Sequence, residues 1–366
     1  MRASPVNKAT GNRVVRTPRT DHARIDHIMP QIGLFRATRD IKPEDLPKFV
    51  ATKTWGDTTL RVAAVTQCGA IDWKIFLAVV ALCNIEGRKG AFNARSQGAQ
   101  AILWQGLKCE QGLRVEHAVS TPIMHTSELL REAGMADNGR NRARLAESLL
   151  RLSEVTLTSF NGSKQTGGGK LISSYEIDGA TGKMMIGITP ALARTVMRLD
   201  PGHVRISLRE VRDMTDPTAI ILHGFLCERI SFGDTAPARY HVDTLAVAAY
   251  GEAKGVNKCP KTLAEKKAHR DAPAKIRNRR QYVREAMVII DNLDGWTAKE
   301  DHRGNFTIIR DRTPLNADDL LIDFEDDECQ PMTTNAPPPL LVDDSATRQA
   351  DWLLGAFTPE DQPAYD

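Results

Sequence analysis

Apolar positions along the chain fall into two successive sets with the same order of periods. From Ile71 the spacing of Ile71, Ile75, Val79 and Leu82, joined by Phe76, Val80 and Cys83, predicts a core helix with a broad apolar face. Thr126 and Ser127 are read as caps of a short second helix, with Glu128 in its first turn, Leu129 and Leu130 inside, and Gly134 as its stop. After the connector Met135 to Asp137, a third helix begins near Asn138. It buries Leu145, Leu149 and Leu152 at i, i+4 and i+7, and its other face carries Arg140, Arg142 and Arg144. Alternation then replaces helical spacing. Val155 and Leu157, then Leu171, Ser173, Tyr175 and Ile177, then Met184, Ile186 and Ile188, with turns at Asn161-Gly162 and Asp178-Gly179, predict a β-wing.

The second set repeats this order without evident sequence identity. Asp216 and Pro217 form a cap and first helical position, followed by the buried stripe Ile221, Leu222, Phe225, Leu226 and Ile230. Asp243 is expected to cap a short helix through Leu245 and Ala249 that stops at Gly251. A long helix from about Lys275 buries Ile276, Val283, Met287 and Ile290. Trp296 and Ala298, the turn Asp301 to Asn305, then Phe306 and Ile308 read as a hairpin. Two short helices joined by a turn, the later one basic, is the helix-turn-helix arrangement that lays a helix in a major groove. The expected fold class is therefore α+β, mainly helical, with tandem winged-helix domains.

A chain of 366 residues accommodates two such domains and some remainder. We expect a disordered basic arm over 1–30 and a first winged-helix domain over 31–198. A second winged-helix domain follows over 199–312, with a basic insert at 252–273, and a disordered acidic tail over 313–366. The formal charge of +3 hides the asymmetry that matters. From Pro314 to Asp366 there are 13 Asp or Glu against a single basic residue, Arg348, so the body is strongly basic. A basic body favours an acidic partner, commonly nucleic acid. The longest apolar run, Ile75 to Cys83, is far short of the about 20 residues a membrane span needs, so no membrane role and a cytoplasmic location are expected. The six cysteines show no CxxC pair and are read as reduced thiols.

The densest local signal is Lys254 to Arg284, with 11 Lys or Arg against Glu265 and Asp271. Lys275, Arg277, Arg279, Arg280 and Arg284 cluster near one helix start. Guanidinium groups at helical spacing can pair with phosphates or fork onto guanine O6 and N7. The plain alternative is a solvated basic face, which placement in a helix-turn-helix disfavours. Arg140, Arg142 and Arg144 repeat the arrangement in the first half. Asn161 to Lys170 is read as a flexible wing tip whose Lys164 and Lys170 can touch phosphates, with a plain hairpin loop as the alternative. Arg303, in the second hairpin turn, joins the expected DNA-binding set. Gly167 to Lys170 is not a Walker A loop, because Lys164 and Leu171 occupy positions that would hold Gly and Ser or Thr.

His223 and Cys227 stand four apart on one helix face, but no second ligand pair has suitable spacing, so they are read as core and no metal or other cofactor is expected. No His-x-His pair with a following tyrosine is present, so the chemistry of a DNA-nicking enzyme lacks its parts. No catalytic residue is assigned and the chain is expected not to be an enzyme. The tail islands Leu320 to Phe324 and Trp352 to Phe357 are apolar anchors set in acid. They are either docking segments for a partner or clusters without one.

The strings GLFRATR (Gly33 to Arg39), GHVRISLREVR (Gly202 to Arg212) and IRNRRQYVREAM (Ile276 to Met287) resemble the RepC iteron-binding replication initiators of IncQ-type plasmids. The likeness covers roughly Gln31 to Arg310. It implies a plasmid initiator that binds directly repeated iterons in double-stranded origin DNA, opens the adjacent AT-rich duplex and works with a plasmid helicase and primase. Carried over by position, the family's basic recognition helix falls on Lys275, Arg277, Arg279, Arg280 and Arg284. The basic arm, the Lys-rich insert and the acidic tail depart from that pattern. The rival readings are a winged-helix transcriptional regulator and, further off, a rolling-circle nickase. Whether the free protein is monomer or dimer is left open.

Overall fold

The computed structural model describes residues 21–38, 47–55, 58–83, 90–92, 118–161, 164–189, 192, 203–231, 233–252 and 263–311. Most of the expected arm, the tail with its apolar islands, and much of the Lys-rich insert lie outside these residues. Helices and strands both contribute, giving an α+β fold.

The chain enters through β1 (His22–Asp26) and the single turn α1 (Ile28–Gln31). The hairpin β2 (Phe49–Trp55) and β3 (Thr58–Ala64) follows, then the core helix α2 (Ala70–Cys83). Short strands β4 (Gly90–Phe92), β5 (Ala118–Ser120) and β6 (Met124–His125) lead into α3 (Thr126–Glu132) and α4 (Gly139–Ser153). Four strands close this half: β7 (Thr156–Asn161), β8 (Lys164–Lys170), β9 (Ile172–Ile177) and β10 (Lys183–Ile188). The second half starts with β11 (His203–Ser207), α5 (Leu208–Asp213) and α6 (Pro217–Arg229), and continues through β12 (Asp234–His241) and α7 (Val242–Tyr250). It ends with the long α8 (Leu263–Asp291) and the hairpin β13 (Trp296–Glu300) and β14 (Asn305–Arg310).

Every residue of α2 except Ile71 is buried. A helix with no polar face has to be enclosed on all sides, and the enclosure draws on both halves of the chain. α3 and α4 pack on it from the first half and α6 from the second. At the α2–α6 crossing the two helices meet at Gly224, where a Cβ would stand 3.0 Å from the Trp73 ring. β1 and β11 pair antiparallel, Ala23 opposite Ile206 and Ile25 opposite Val204. Arg212 donates to the Glu132 carboxylate at 2.6 Å, and Lys74 donates to the Met214 carbonyl at 2.7 Å. One apolar cluster therefore runs from Ala23 to Ile308. The expected division at 198/199 is not a gap between two cores, and 1–30 is not wholly an arm, since β1 and α1 occupy its last part.

The expected wing strands do not form one ribbon. β7 and β8 join β2 and β3 in a sheet ordered β2-β3-β7-β8, whereas β9 and β10 join the sheet ordered β4-β5-β10-β6, with β9 also on β10. The first-half strands thus recruit earlier segments, β2 and β3 among them, that the expected wing did not include. Lys164–Lys170, read as a flexible tip, is a strand paired to β7 with a register shift between Thr158 and Ser159. In the second half β12 adds a third strand, giving the order β12-β14-β13.

Cap details also differ. Thr126 is not a cap: the residue before α3 is His125, and the Thr126 hydroxyl instead donates to the Gly182 carbonyl at 3.1 Å. α7 is capped by His241, whose Nδ1 accepts from Asp243 N–H at 3.2 Å. Asp216 caps α6 as expected, and Asn138, near the expected start of α4, caps that helix. α8 begins at Leu263, well before Lys275, and continues through Pro273. The Ala, Leu, Glu and Lys content of this stretch favours helix strongly.

Candidate nucleic-acid interface

α8 carries the larger basic set, and the structure assigns its five residues different surroundings. Val283, Met287 and Ile290 face the core, which fixes the rotation of the helix. Lys275 and Arg277 are exposed and have no partner among the described residues. Arg279 is half-buried. Its Nη1 donates to the Gly251 carbonyl at 3.0 Å, and its guanidinium lies 5.2 Å from the Tyr250 ring centre. Arg280 grips Asp243 through Nε and Nη2, and Arg284 reaches the Glu300 carboxylate at 2.9 and 3.0 Å. Two of the five arginine and lysine side chains thus point free of the protein, while three tie α8 to α7, to the end of α7 and to β13.

The same division holds on α4. Arg140 is exposed and Arg144 half-exposed, both without partners among the described residues. Arg142 is exposed but pairs with Asp137 at 2.6 and 2.9 Å, which holds Asp137 below the usual carboxylate range. At the far end of the helix Arg151 reaches into the core to Asp72, at 2.9 Å. Asp72 also accepts from Gly69 N–H at 2.7 Å, so a buried carboxylate is shared between a cap and an ion pair. Leu145, Ser148, Leu149 and Leu152 form the inner face of α4. The free arginines lie near its N-terminal end.

Of the remaining expected contacts, Arg303 is exposed in the β13–β14 turn, where Asp301 accepts from the N–H groups of Arg303 and Asn305 and is held down at about 2 in pKa by those bonds. Lys170 closes β8 and is half-buried with a partner of its own. Lys164 opens β8, and its side chain lies outside the described set.

His223 and Cys227 do meet, with Cys227 Sγ 3.5 Å from Nε2, and a third group joins them that helical spacing does not reveal. Glu210 of α5 pairs with His223 Nε2 and accepts from Trp296 Nε1 at 3.2 Å. Burial opposes protonation of His223, but the Cys227 and Glu210 groups outweigh it and raise its pKa to about 9. Glu210 is lowered: burial works against its ionisation, and His223, Arg310 and Trp296 overcome it. Glu210, His223 and Cys227 offer three ligand atoms within 4.8 Å of one another, the set that could hold a metal among the described residues. The close His–Glu pair and the indole N–H on the same carboxylate suit an internal ion pair that locks α5, α6 and β13 together.

A protein-family model described as replication protein C (RepC) matches residues 18–312. The chain belongs to the RepC family. Its matched span takes in both basic helices, the seam between the halves and every strand described above. No curated protein matches. Among solved structures, RctB domains 2–3 align with 9% identity over 78% of this chain and 96% of that one, with a TM-score of 0.42. A selenomethionine form of RctB domains 2 and 3 gives 10% identity over 77% and 95%, with a TM-score of 0.40. A likeness of that degree settles neither topology nor contacts. RepC membership makes this a replication protein, and no helix among the described residues is long and apolar enough to cross a membrane.

Proposed function

We propose that this RepC protein is a plasmid replication initiator, a DNA-binding protein rather than an enzyme, that grips directly repeated iterons in origin duplex. In this reading α2, α3 and α4 with their strands, and α6, α7 and α8 with β12, β13 and β14, are two winged-helix units in tandem, and α4 and α8 are their recognition helices. The two helices enter successive major grooves on one face of an iteron, and two linked units raise avidity without new chemistry. Opening of an AT-rich segment and work with a plasmid helicase and primase follow from the IncQ-type resemblance.

The observation that carries the reading is the pair of exposed cations Lys275 and Arg277, without partners among the described residues, on a helix whose opposite face is locked into the core. A rigid scaffold that leaves such groups projecting suits groove or phosphate contact. The test is a footprint of the purified protein on the DNA of its own replicon, with random duplex as competitor. Protection at regularly spaced direct repeats is expected. A single palindromic site beside a promoter would favour a winged-helix transcriptional regulator, which shares every one of these features.

A further inference from the structure

The string GLFRATR has no part in the two recognition helices, yet it packs on the end of α7, at the residue that α8 also holds. Arg36 N–H donates to the Cys68 carbonyl at 3.0 Å and Ala37 N–H to the Ala249 carbonyl at 2.8 Å, so the segment runs between the approach to α2 and the last turn of α7. The Arg36 side chain folds back, Nε donating to the Gly33 carbonyl at 3.0 Å. Its guanidinium then fills the space that side chains on two glycines would need. A Cβ on Gly33 would meet Nη2 at 3.0 Å, and one on Gly251 would meet Nη1 at 1.1 Å. Both glycines have φ of +72°. The slot is thus built for this side chain from both halves of the protein.

Arg279 approaches the same glycine from α8, donating Nη1 to the Gly251 carbonyl at 3.0 Å. Two guanidinium groups therefore bracket one residue. Among the described residues Nη1 and Nη2 of Arg36, and Nε and Nη2 of Arg279, find no acceptor, and both side chains are half-buried rather than enclosed. Burial, then the Arg279 charge, lowers the pKa of Arg36, with Glu252 acting the other way. Holding two half-buried like charges together is unfavourable unless an anion sits between them.

We infer that Arg36 and Arg279 form a clamp for one backbone phosphate of the bound duplex, placed where the leading segment of the first half meets the recognition helix of the second. The inference rests on the DNA-binding reading above. A guanidinium fork suits a phosphate, and a contact of this kind sets register without reading sequence. One phosphate held from both halves would also fix the two recognition helices at a single spacing along the DNA.

The test uses the full chain, with affinities for the replicon's repeats and for random duplex measured across a salt series. Arg36→Gln and Arg279→Gln should each weaken binding to both duplexes and flatten the slope of log K against log salt by about 0.9, the value of one phosphate. The double variant should flatten it no further, since both groups serve one phosphate. A doubled change in slope would mean two separate phosphates and overturn the shared clamp. An unchanged slope with a lowered melting temperature would make Arg36 a structural latch only. Arg36→Lys, which keeps the charge but not the fork, should retain the slope while losing affinity, and it serves where Arg36→Gln does not fold. If the unaltered protein binds neither duplex, the DNA-binding reading fails first and the clamp with it.

Discussion

Arg280 holds Asp243 through two parallel N–H···O bonds of 2.6 and 2.7 Å, so the basic helix α8 is fastened to the first turn of α7. A side chain that spacing alone marks for base reading is occupied in setting the angle between the two helices. Arg277, one turn earlier, is left exposed.

The two arginines should therefore respond differently. Arg277→Ala is expected to cost about 1 to 3 kcal/mol on the repeats and less on random duplex, as a base contact would. Arg280→Ala should weaken both duplexes to a similar extent and lower stability by at most about 1 kcal/mol, because its ion pair is solvent-exposed. Parallel titrations on repeat and random DNA, with urea melts, distinguish the two patterns.

Gly251→Ala should be strongly destabilising. The residue has φ 72° and ψ 174°, a region nearly restricted to glycine, and the new Cβ would collide with Arg36. The backbone term alone is of order 1 to 3 kcal/mol. Adding Arg36→Ala should recover the collision part but leave the backbone part, so a double-mutant cycle is expected to show coupling. Purely additive losses would mean that the two residues do not press on one another.

Asp72 is 3% exposed and its partner Arg151 19%. Asp72→Ala leaves a largely buried guanidinium with only the exposed Glu147 carboxylate at 3.8 Å and removes the acceptor for Gly69 N–H, so a loss of about 3 kcal/mol is expected from urea unfolding. Asp72→Ala with Arg151→Met should lose clearly less than the single change.

Two buried cations give opposite pH dependences. His223 binds its proton more tightly when folded, with pKa about 9, so its contribution is whole below the ordinary histidine value and is lost as pH rises through about 9. Lys74, drawn down to about 8 by burial despite Asp213, binds its proton less tightly when folded. Its contribution grows as pH rises from about 8 toward the ordinary lysine value. Melting temperature against pH should fall above neutrality, and His223→Gln should remove that fall. Lys74→Met should deepen the decline at the alkaline end. Glu210, with a lowered pKa, adds stability above the usual carboxylate range that is lost as pH drops through it. A chelator is expected to leave the melting curve unmoved; a lower melting temperature would show that a metal holds the Glu210–His223–Cys227 cluster instead.

The helices were legible because their signals are local. Asp216-Pro217 and Asn138 mark caps, and Leu145, Leu149 and Leu152 mark a face. Pairing of strands is not local, and nothing in the run from Val155 to Ile188 says that β7 and β9 will join different sheets. The long helix starts ahead of the expected Lys275, because strong helix formers from Leu263 carry it through Pro273. At the candidate interface, the helix that carries the basic residues was readable from spacing, but which of them are spent on Asp243, Glu300 and Gly251 depends on acceptors distant in sequence. Arg36 lay inside a string noted only for resemblance, and its slot is formed by a glycine that spacing marked only as a helix stop.

The β1–β11 ribbon makes the order of synthesis matter. Ala23 and Ile25 leave the ribosome early but have no partner until Val204 and Ile206 follow. The first half must wait with α2 incompletely covered, which exposes apolar surface for much of translation. Contacts so far apart in sequence also slow refolding. A nascent chain halted between the halves should be a substrate for chaperones, and supply of this protein in the cell would then depend on how fast its second half is made.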